Sequence, residues 1–323
     1  MINIDPNRSA AASRLLYTIT LLFGVVTLFA AVAESAPPPA RKIGLLLVNH
    51  GSRSETWRKS LLSLEDRVRP ALMTNQTIRG IKTAFMEYTE PSIATRLKEF
   101  DAEGYTDVVI VPVFLTVSPH TFDDIPTIIG MKVDPQSLEM LKIENIERYT
   151  PKAKVALAPN LDFPGVLKEN ILRRAKRLST DPANEGLVLI AYGDETYEKE
   201  WAALLAGVGD YVKTNTGIAA YSHGWCGHVA HYDPKKTTSA IEEVLKTKQK
   251  AVVIPVLVAH DENFQIKIIG GGIAKVADSQ SRVVYRPDSI LPDPNIEQWV
   301  IRIAGQYAGE IAEGRRLAST QRP

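Results

Sequence analysis

One pattern of apolar runs and helical stretches occurs twice in this chain, and the repeat restricts the fold more than any other feature. The first pass reads IGLLLVN (Ile43 to Asn49), an amphipathic stretch around Trp57 to Leu72, IKTAFMEY, a helical stretch Ile93 to Phe100, and VVIVPVFL (Val108 to Leu115). After Glu185 the order returns as GLVLIAYG, a helical stretch around Trp201, GIAAYSHG, a helical stretch Thr237 to Leu245, and AVVIPVLV. Gly44 and Gly186 are 142 residues apart, while Pro91 to Pro234 and Pro112 to Pro255 are each 143 apart. Short, fully apolar runs separated by helical periods read as βαβ crossovers in a parallel sheet. A nearly constant offset through three elements argues for a duplicated unit rather than two unrelated segments of like composition.

A further correspondence closes each half. ALAPNLDFPGVLKENILRRA (Ala156 to Ala175) aligns with VYRPDSILPDPNIEQWVIRIA (Val284 to Ala304), which pairs Pro159 with Pro287, Pro164 with Pro292 and Arg174 with Arg302, all 128 apart. The offset drops by 15, so the first half carries a longer insert between its third and fourth strands, containing His120 to about Tyr149. The expected class is therefore α/β, with two similar domains at residues 42–180 and 181–312, each a small parallel sheet flanked by helices. A ligand is expected where the strand C-termini meet. Residues 313–323 read as a frayed tail.

Residues 1–41 stand apart from this pattern. Arg8 and Arg14 precede an uncharged stretch, Leu15 to Ala33, ending in Ala31-Val32-Ala33 and followed by Pro37, Pro38 and Pro39. A basic start, an apolar run and a small-x-small site read as a secretory signal cut near Ala33. About 20 apolar residues also suffice for an uncleaved membrane anchor. Either reading puts the body outside the cytoplasm, in the periplasm. Lys and Arg number 38 against 37 Asp and Glu, so a net charge of +1 gives no global electrostatic reason to bind nucleic acid. The single cysteine, Cys226, excludes an intramolecular disulfide and a four-cysteine zinc site.

Positions just after strands point into the cleft of such a sheet. Asn49-His50-Gly51-Ser52-Arg53 follows the first strand, Glu87 the second, and Ser118-Pro119-His120 the third. Two imidazoles and a carboxylate at one sheet edge suit a borderline divalent metal, and they also accept protons near neutral pH. Each of these histidines also has a plain reading as a hydrogen-bonded structural residue. Ser52 and Arg53 are candidates for binding substrate carboxylates, Arg53 equally a surface or helix-start residue.

Taken in order, NHGSR, F-x-E followed by EPS, VPVFL and H-x-x-x-DIP resemble the class II tetrapyrrole chelatases of the sirohydrochlorin cobaltochelatase family. The resemblance is close over most of residues 42–180 and looser beyond, through the duplication. It implies insertion of a divalent metal, cobalt foremost with iron or nickel as alternatives, into sirohydrochlorin or a related tetrapyrrole, with no nucleotide cofactor. It also implies that His50 and His120 bind the metal and accept pyrrole protons, with Glu87 assisting. Neutral imidazoles are needed for both tasks, so activity is expected to fall as pH drops through about 6.5. This sequence departs from the family at three points. Ser118-Pro119 stand where a glycine usually lies two residues before the second histidine, Tyr192 stands where His50 would repeat, and an export signal is unexpected for an intracellular pathway.

The second half has a cluster of its own. His223, Cys226, His228 and His231 lie within SHGWCGHVAHYDP, and His260 follows the next strand. Three readings stand side by side: a second metal or haem site, part of the chelatase site, or ordinary polar loop residues. The cluster supports an alternative function, a non-catalytic carrier of metal or haem outside the cytoplasm. Gly270-Gly271-Gly272 lacks a phosphate-loop context and reads as a flexible turn. Trp57 and Trp201, at helical spacing, read as core. Oligomeric state is not legible.

Overall fold

The computed structural model describes residues 41–315 apart from Asn75 and Asp162. The expected leader, Leu15 to Ala33, and most of the expected tail lie outside the described residues. The first half runs β1 (Ile43–Asn49), α1 (Glu55–Thr74), β2 (Ile78–Phe85), α2 (Ile93–Ala102), β3 (Asp107–Pro112), an insert carrying α3 (Pro135–Ile143), β4 (Lys154–Leu157) and α4 (Phe163–Leu178). The second runs β5 (Glu185–Ala191), α5 (Glu198–Thr216), β6 (Ala220–Trp225), α6 (Lys235–Leu245), β7 (Lys250–Val256), β8 (Val283–Tyr285) and α7 (Pro294–Ala312). Every strand pairing is parallel, and the sheet orders are β2-β1-β3-β4 and β6-β5-β7-β8. The same order twice is what a duplicated unit requires.

β1 and β5 pair on both edges and are buried along their whole length, which is why they read as unbroken apolar runs. The exception is Glu185 at the start of β5. Its buried carboxylate accepts hydrogen bonds from the backbone N–H groups of Thr180 (3.1 Å) and Asp181 (3.2 Å), which offsets the cost of taking it out of water.

The closing helix of each half lies on the other half. α4 packs against α5 and β7, and α7 packs against α1 and β3. One continuous apolar core therefore runs through both halves, while the outer faces of the two sheets carry separate cores. Polar anchors fix the exchange. Arg174 on α4 donates to the Pro255 carbonyl (2.8 Å) and pairs with Asp288, and the fully buried Asp293 accepts from Asn170 Nδ2 (2.6 Å) and pairs with Arg173. Asp293 also caps α7 by accepting from the Asn295 N–H at 2.7 Å. Residues from Arg41 onward accordingly form one compact unit.

Gly270-Gly271-Gly272 is not a flexible turn. A π-helical segment, Asn263–Gly270, runs directly into Gly271–Ile273. A Cβ on Gly272 would stand 2.6 Å from the Pro234 carbonyl oxygen, so glycine here permits close helix packing rather than motion. Among the described residues no helix is long and apolar enough to cross a membrane.

Candidate metal centre

The C-terminal ends of β1 and β2 stay clamped together after the strands finish. Met86 N–H donates to the Asn49 carbonyl (2.8 Å) and Glu87 N–H to the His50 carbonyl (2.9 Å), which carries the ladder to the two side chains that matter. Gly51 then turns the chain at φ +114°, and a Cβ there would lie 1.9 Å from the Glu87 carbonyl oxygen. His120 arrives from the other side at the start of a π-helical turn, His120–Asp124, a local geometry that recurs at functional sites.

These three elements bring His50, Glu87 and His120 together, with one ligand atom from each lying within 4.8 Å of the others. Donors that share one ion at about 2.1 Å sit about 3–4 Å apart, so a small side-chain adjustment closes the set on a metal. The two imidazole rings are 4.8 Å apart and nearly perpendicular, at 77°. Three protein ligands leave coordination positions open, as an exchangeable rather than structural site requires.

Hydrogen bonds decide which atoms are offered. His50 Nδ1–H donates to the Gly51 carbonyl (3.1 Å), leaving Nε2 toward Glu87 Oε1 at 2.8 Å. His120 Nδ1–H donates to Asp124 Oδ2 (2.7 Å), which fixes the ring and leaves its Nε2 for an ion. Burial opposes charge on the His50 ring and is the largest influence. The hydrogen bond and charge of Glu87, the Gly51 carbonyl and the charge of Asp124 together outweigh it, and the His50 pKa is raised. Burial likewise favours the neutral acid in Glu87 and Asp124. In Glu87 it is overcome by His50 and the charge of His120, and in Asp124 by His120 and Ser137, so both carboxyls are lowered.

Asp124 is a residue that the sequence reading did not select. Its signal was present in the DIP motif and in its position four residues after His120, which places both on one helical face. Ser118 is a second such residue. The residue lines the cleft, and its buried hydroxyl has no hydrogen-bond partner among the described residues.

The centre opens into a cleft of about 640 Å³ between the halves, within the ~300–1,000 Å³ of small-molecule sites. Tyr88, Phe114, Tyr192 and Tyr232 give it aromatic walls, and Trp57 and Trp201 both pack on the core and line the cleft. Arg53 is exposed at the rim, its guanidinium 5.1 Å from the Tyr88 ring centroid. Ser52 is engaged elsewhere: its hydroxyl donates to Asp261 Oδ2 at 2.7 Å, while Ser54 and Thr56 donate to Glu262 at 2.9 and 2.8 Å. These bonds tie the loop behind His50 to the second half.

The second half does not repeat the centre. Cys226 N–H and Gly227 N–H bond the carbonyls of Ala191 and Tyr192 as Met86 and Glu87 do those of Asn49 and His50. Tyr192 thus replaces His50 and Gly227 replaces Glu87, while Asn263 opens the π-helical segment that corresponds to the one begun by His120. The residues His223, Cys226, His228, His231 and His260 do not converge; among the described residues only His50, Glu87 and His120 form a metal-sized group. His223 lies within β6 beside Trp225, its pKa lowered by burial, while Cys226 is buried in the outer core with its thiol pKa pushed up by that burial. His231 is exposed, and of this set only His228 lines the cleft.

A wholly parallel two-sheet fold with an open His–Glu–His centre beside its cleft defines the architecture of a class II chelatase. The chain matches the CbiX family over residues 44–178. It is 36% identical over 100 residues to the sirohydrochlorin cobaltochelatase of Methanococcoides burtonii, covering 31% of this chain and 72% of that protein. Two structures of SirB from Bacillus subtilis share the fold. One, from subspecies spizizenii, is in complex with cobalt, with a TM-score of 0.60 and 16% identity over 84% of this chain and 97% of that one. The other, with Fe3+, has a TM-score of 0.61 and 17% identity over 84% and 98%. The chain belongs to the sirohydrochlorin cobaltochelatase (CbiX) family.

Proposed function

We propose that this protein inserts a divalent metal, cobalt foremost, into sirohydrochlorin or a closely related tetrapyrrole. The observation that carries this reading is the convergence of His50, Glu87 and His120, with both histidines lining an aromatic cleft. Insertion requires the metal to shed water and protein ligands while two ring nitrogens lose their protons. Neutral imidazoles can first bind the ion through Nε2 and then, once it has moved to the macrocycle, take up protons. Glu87 steadies His50 as an imidazolium at the end of the step, while Asp124 holds the His120 ring in place. Arg53 at the rim suits a peripheral carboxylate, whereas Ser52 reaches substrate only by giving up Asp261.

The relatives' names support cobalt and sirohydrochlorin, and the presence of iron in a structure of the same fold keeps iron as a second candidate. The carrier reading is weaker because its ligand set, His223 to His231, does not close on one ion. We place the enzyme outside the cytoplasm on the strength of Leu15 to Ala33, to be checked by fractionation and N-terminal sequencing of the purified protein. The functional test is anaerobic absorbance spectroscopy of sirohydrochlorin with excess Co(II). Many equivalents of metallated product per protein are expected; conversion no faster than the protein-free mixture would overturn the proposal.

A further inference from the structure

The cleft wall contributed by the second half carries no metal ligand set, yet its polar groups are linked. Tyr192 Oη and Tyr232 Oη are 3.1 Å apart, and Tyr232 Oη is 3.2 Å from His228 Nδ1 and 3.5 Å from its Nε2. All three residues line the cleft, with Phe264 against both tyrosine rings. The chain of bonds runs from the partly buried Tyr192, which occupies the position of His50 in the repeat, to the exposed His228. Its backbone is held in an uncommon state, since His231 (φ +47°) and Tyr232 (φ +56°) both occupy the left-handed region without being glycine. Such strain persists where the surroundings impose it, frequently at functional positions.

We propose that Tyr192, Tyr232 and His228 form a proton exit that serves the macrocycle from the cleft wall contributed by the second half. This rests on the chelatase reading above. As the metal approaches a pyrrole nitrogen from the His50 and His120 side, that nitrogen turns its electron pair to the metal and its proton away. The N–H bond breaks and the proton passes to Tyr192 Oη. The proton of Tyr192 passes to Tyr232 Oη, and that of Tyr232 to His228 Nδ1. The nitrogen keeps the electron pair, both phenols end as they began, and the imidazolium of His228 discharges to water. A phenol suits this task because it passes a proton without becoming an ion. Burial and the Tyr232 hydrogen bond raise the Tyr192 pKa, so a phenolate is disfavoured. The relay then gives one of the two protons released in each turnover a route apart from the histidines that have just held the metal.

The test uses the full-length protein with sirohydrochlorin and Co(II), comparing the parent with Tyr232→Phe, which keeps the ring but breaks both bonds, and His228→Gln, which keeps an acceptor but removes the base. Loss of one acid–base group typically costs about 10²–10⁴-fold. With a second acceptor still present, kcat should fall about tenfold or more in both variants. The macrocycle KM should stay within about twofold and the solvent deuterium isotope effect on kcat should rise. Unchanged kcat in the exposed-site variant His228→Gln, or unchanged kcat with a raised KM in Tyr232→Phe, would overturn the relay and leave the chelatase reading intact. A parent with no insertion activity would overturn both.

Discussion

Replacing Gly51 by alanine should disable the metal centre without unfolding the protein. The added Cβ would begin 1.9 Å from the Glu87 carbonyl oxygen, whereas carbon and oxygen in such contacts rest at ~3.3 Å or more. The two backbone segments must therefore part by ~1.4 Å, and they are the segments that carry His50 and Glu87. The φ of +114° adds strain for any residue with a Cβ. A misplacement of about 1 Å costs roughly 10²-fold in rate, so a hundredfold loss of insertion activity is expected, with weaker Co(II) binding alongside. The comparison variant is Gly193→Ala at the matching turn of the second half, where φ is +83° and the new Cβ would meet the Trp225 ring at 3.0 Å. It should lower the melting temperature by less while keeping Co(II) affinity. Stopped-flow absorbance, cobalt titration and thermal melts together decide the matter. A Gly51→Ala protein with parental metal affinity and rate would refute the placement of the site.

Asp124→Asn should lower Co(II) affinity or insertion rate by roughly 10–100-fold, the usual cost of losing the carboxylate behind a ligating histidine, measured by competition titration with a metal-sensitive dye. Because the His50 pKa is raised, insertion should fall off at a pH above the ordinary 6.5, not at it, as the pH is lowered and the ring becomes protonated. The same shift contributes fold stability that is fully present below the ordinary value and lost as pH rises through the raised one. Metal-free protein should therefore melt lower at pH 8 than at pH 6, and Glu87→Gln should flatten that difference. Asp293→Ala strands Asn170 and Arg173 at the crossing of α4 and α7, and about 3–5 kcal/mol of stability should be lost in urea unfolding, both halves melting together.

The duplication and the His50–Glu87–His120 set were legible because each rests on order along the chain: apolar strands covered on both faces leave long unbroken runs, and residues after strands gather at one sheet edge. Asp124 was legible in principle, since it needs only the helical spacing from His120. The exchange of α4 and α7 was not, because an amphipathic helix specifies an apolar face and not the surface it will cover; Arg174 and Asp293 find their partners only in three dimensions. The His223 to His231 run does not gather into a metal-sized group, for a reason of geometry. His223 and Trp225 share one face of β6, Cys226 turns to the opposite face and into the core, and His231 sits beyond a short helical turn, so closeness in sequence does not become closeness in space. The glycine run misled because close packing and flexibility call for the same residue.

On the proposed function, the first-half histidines handle the metal. This role is tested most directly by the rate of Co(II) insertion into sirohydrochlorin with the His50→Ala, His120→Ala protein beside the parent. The parent should convert the macrocycle over many turnovers and the variant should be no faster than the uncatalysed mixture, with each protein still showing a cooperative melt. A folded variant that retains the parent's rate would contradict that role.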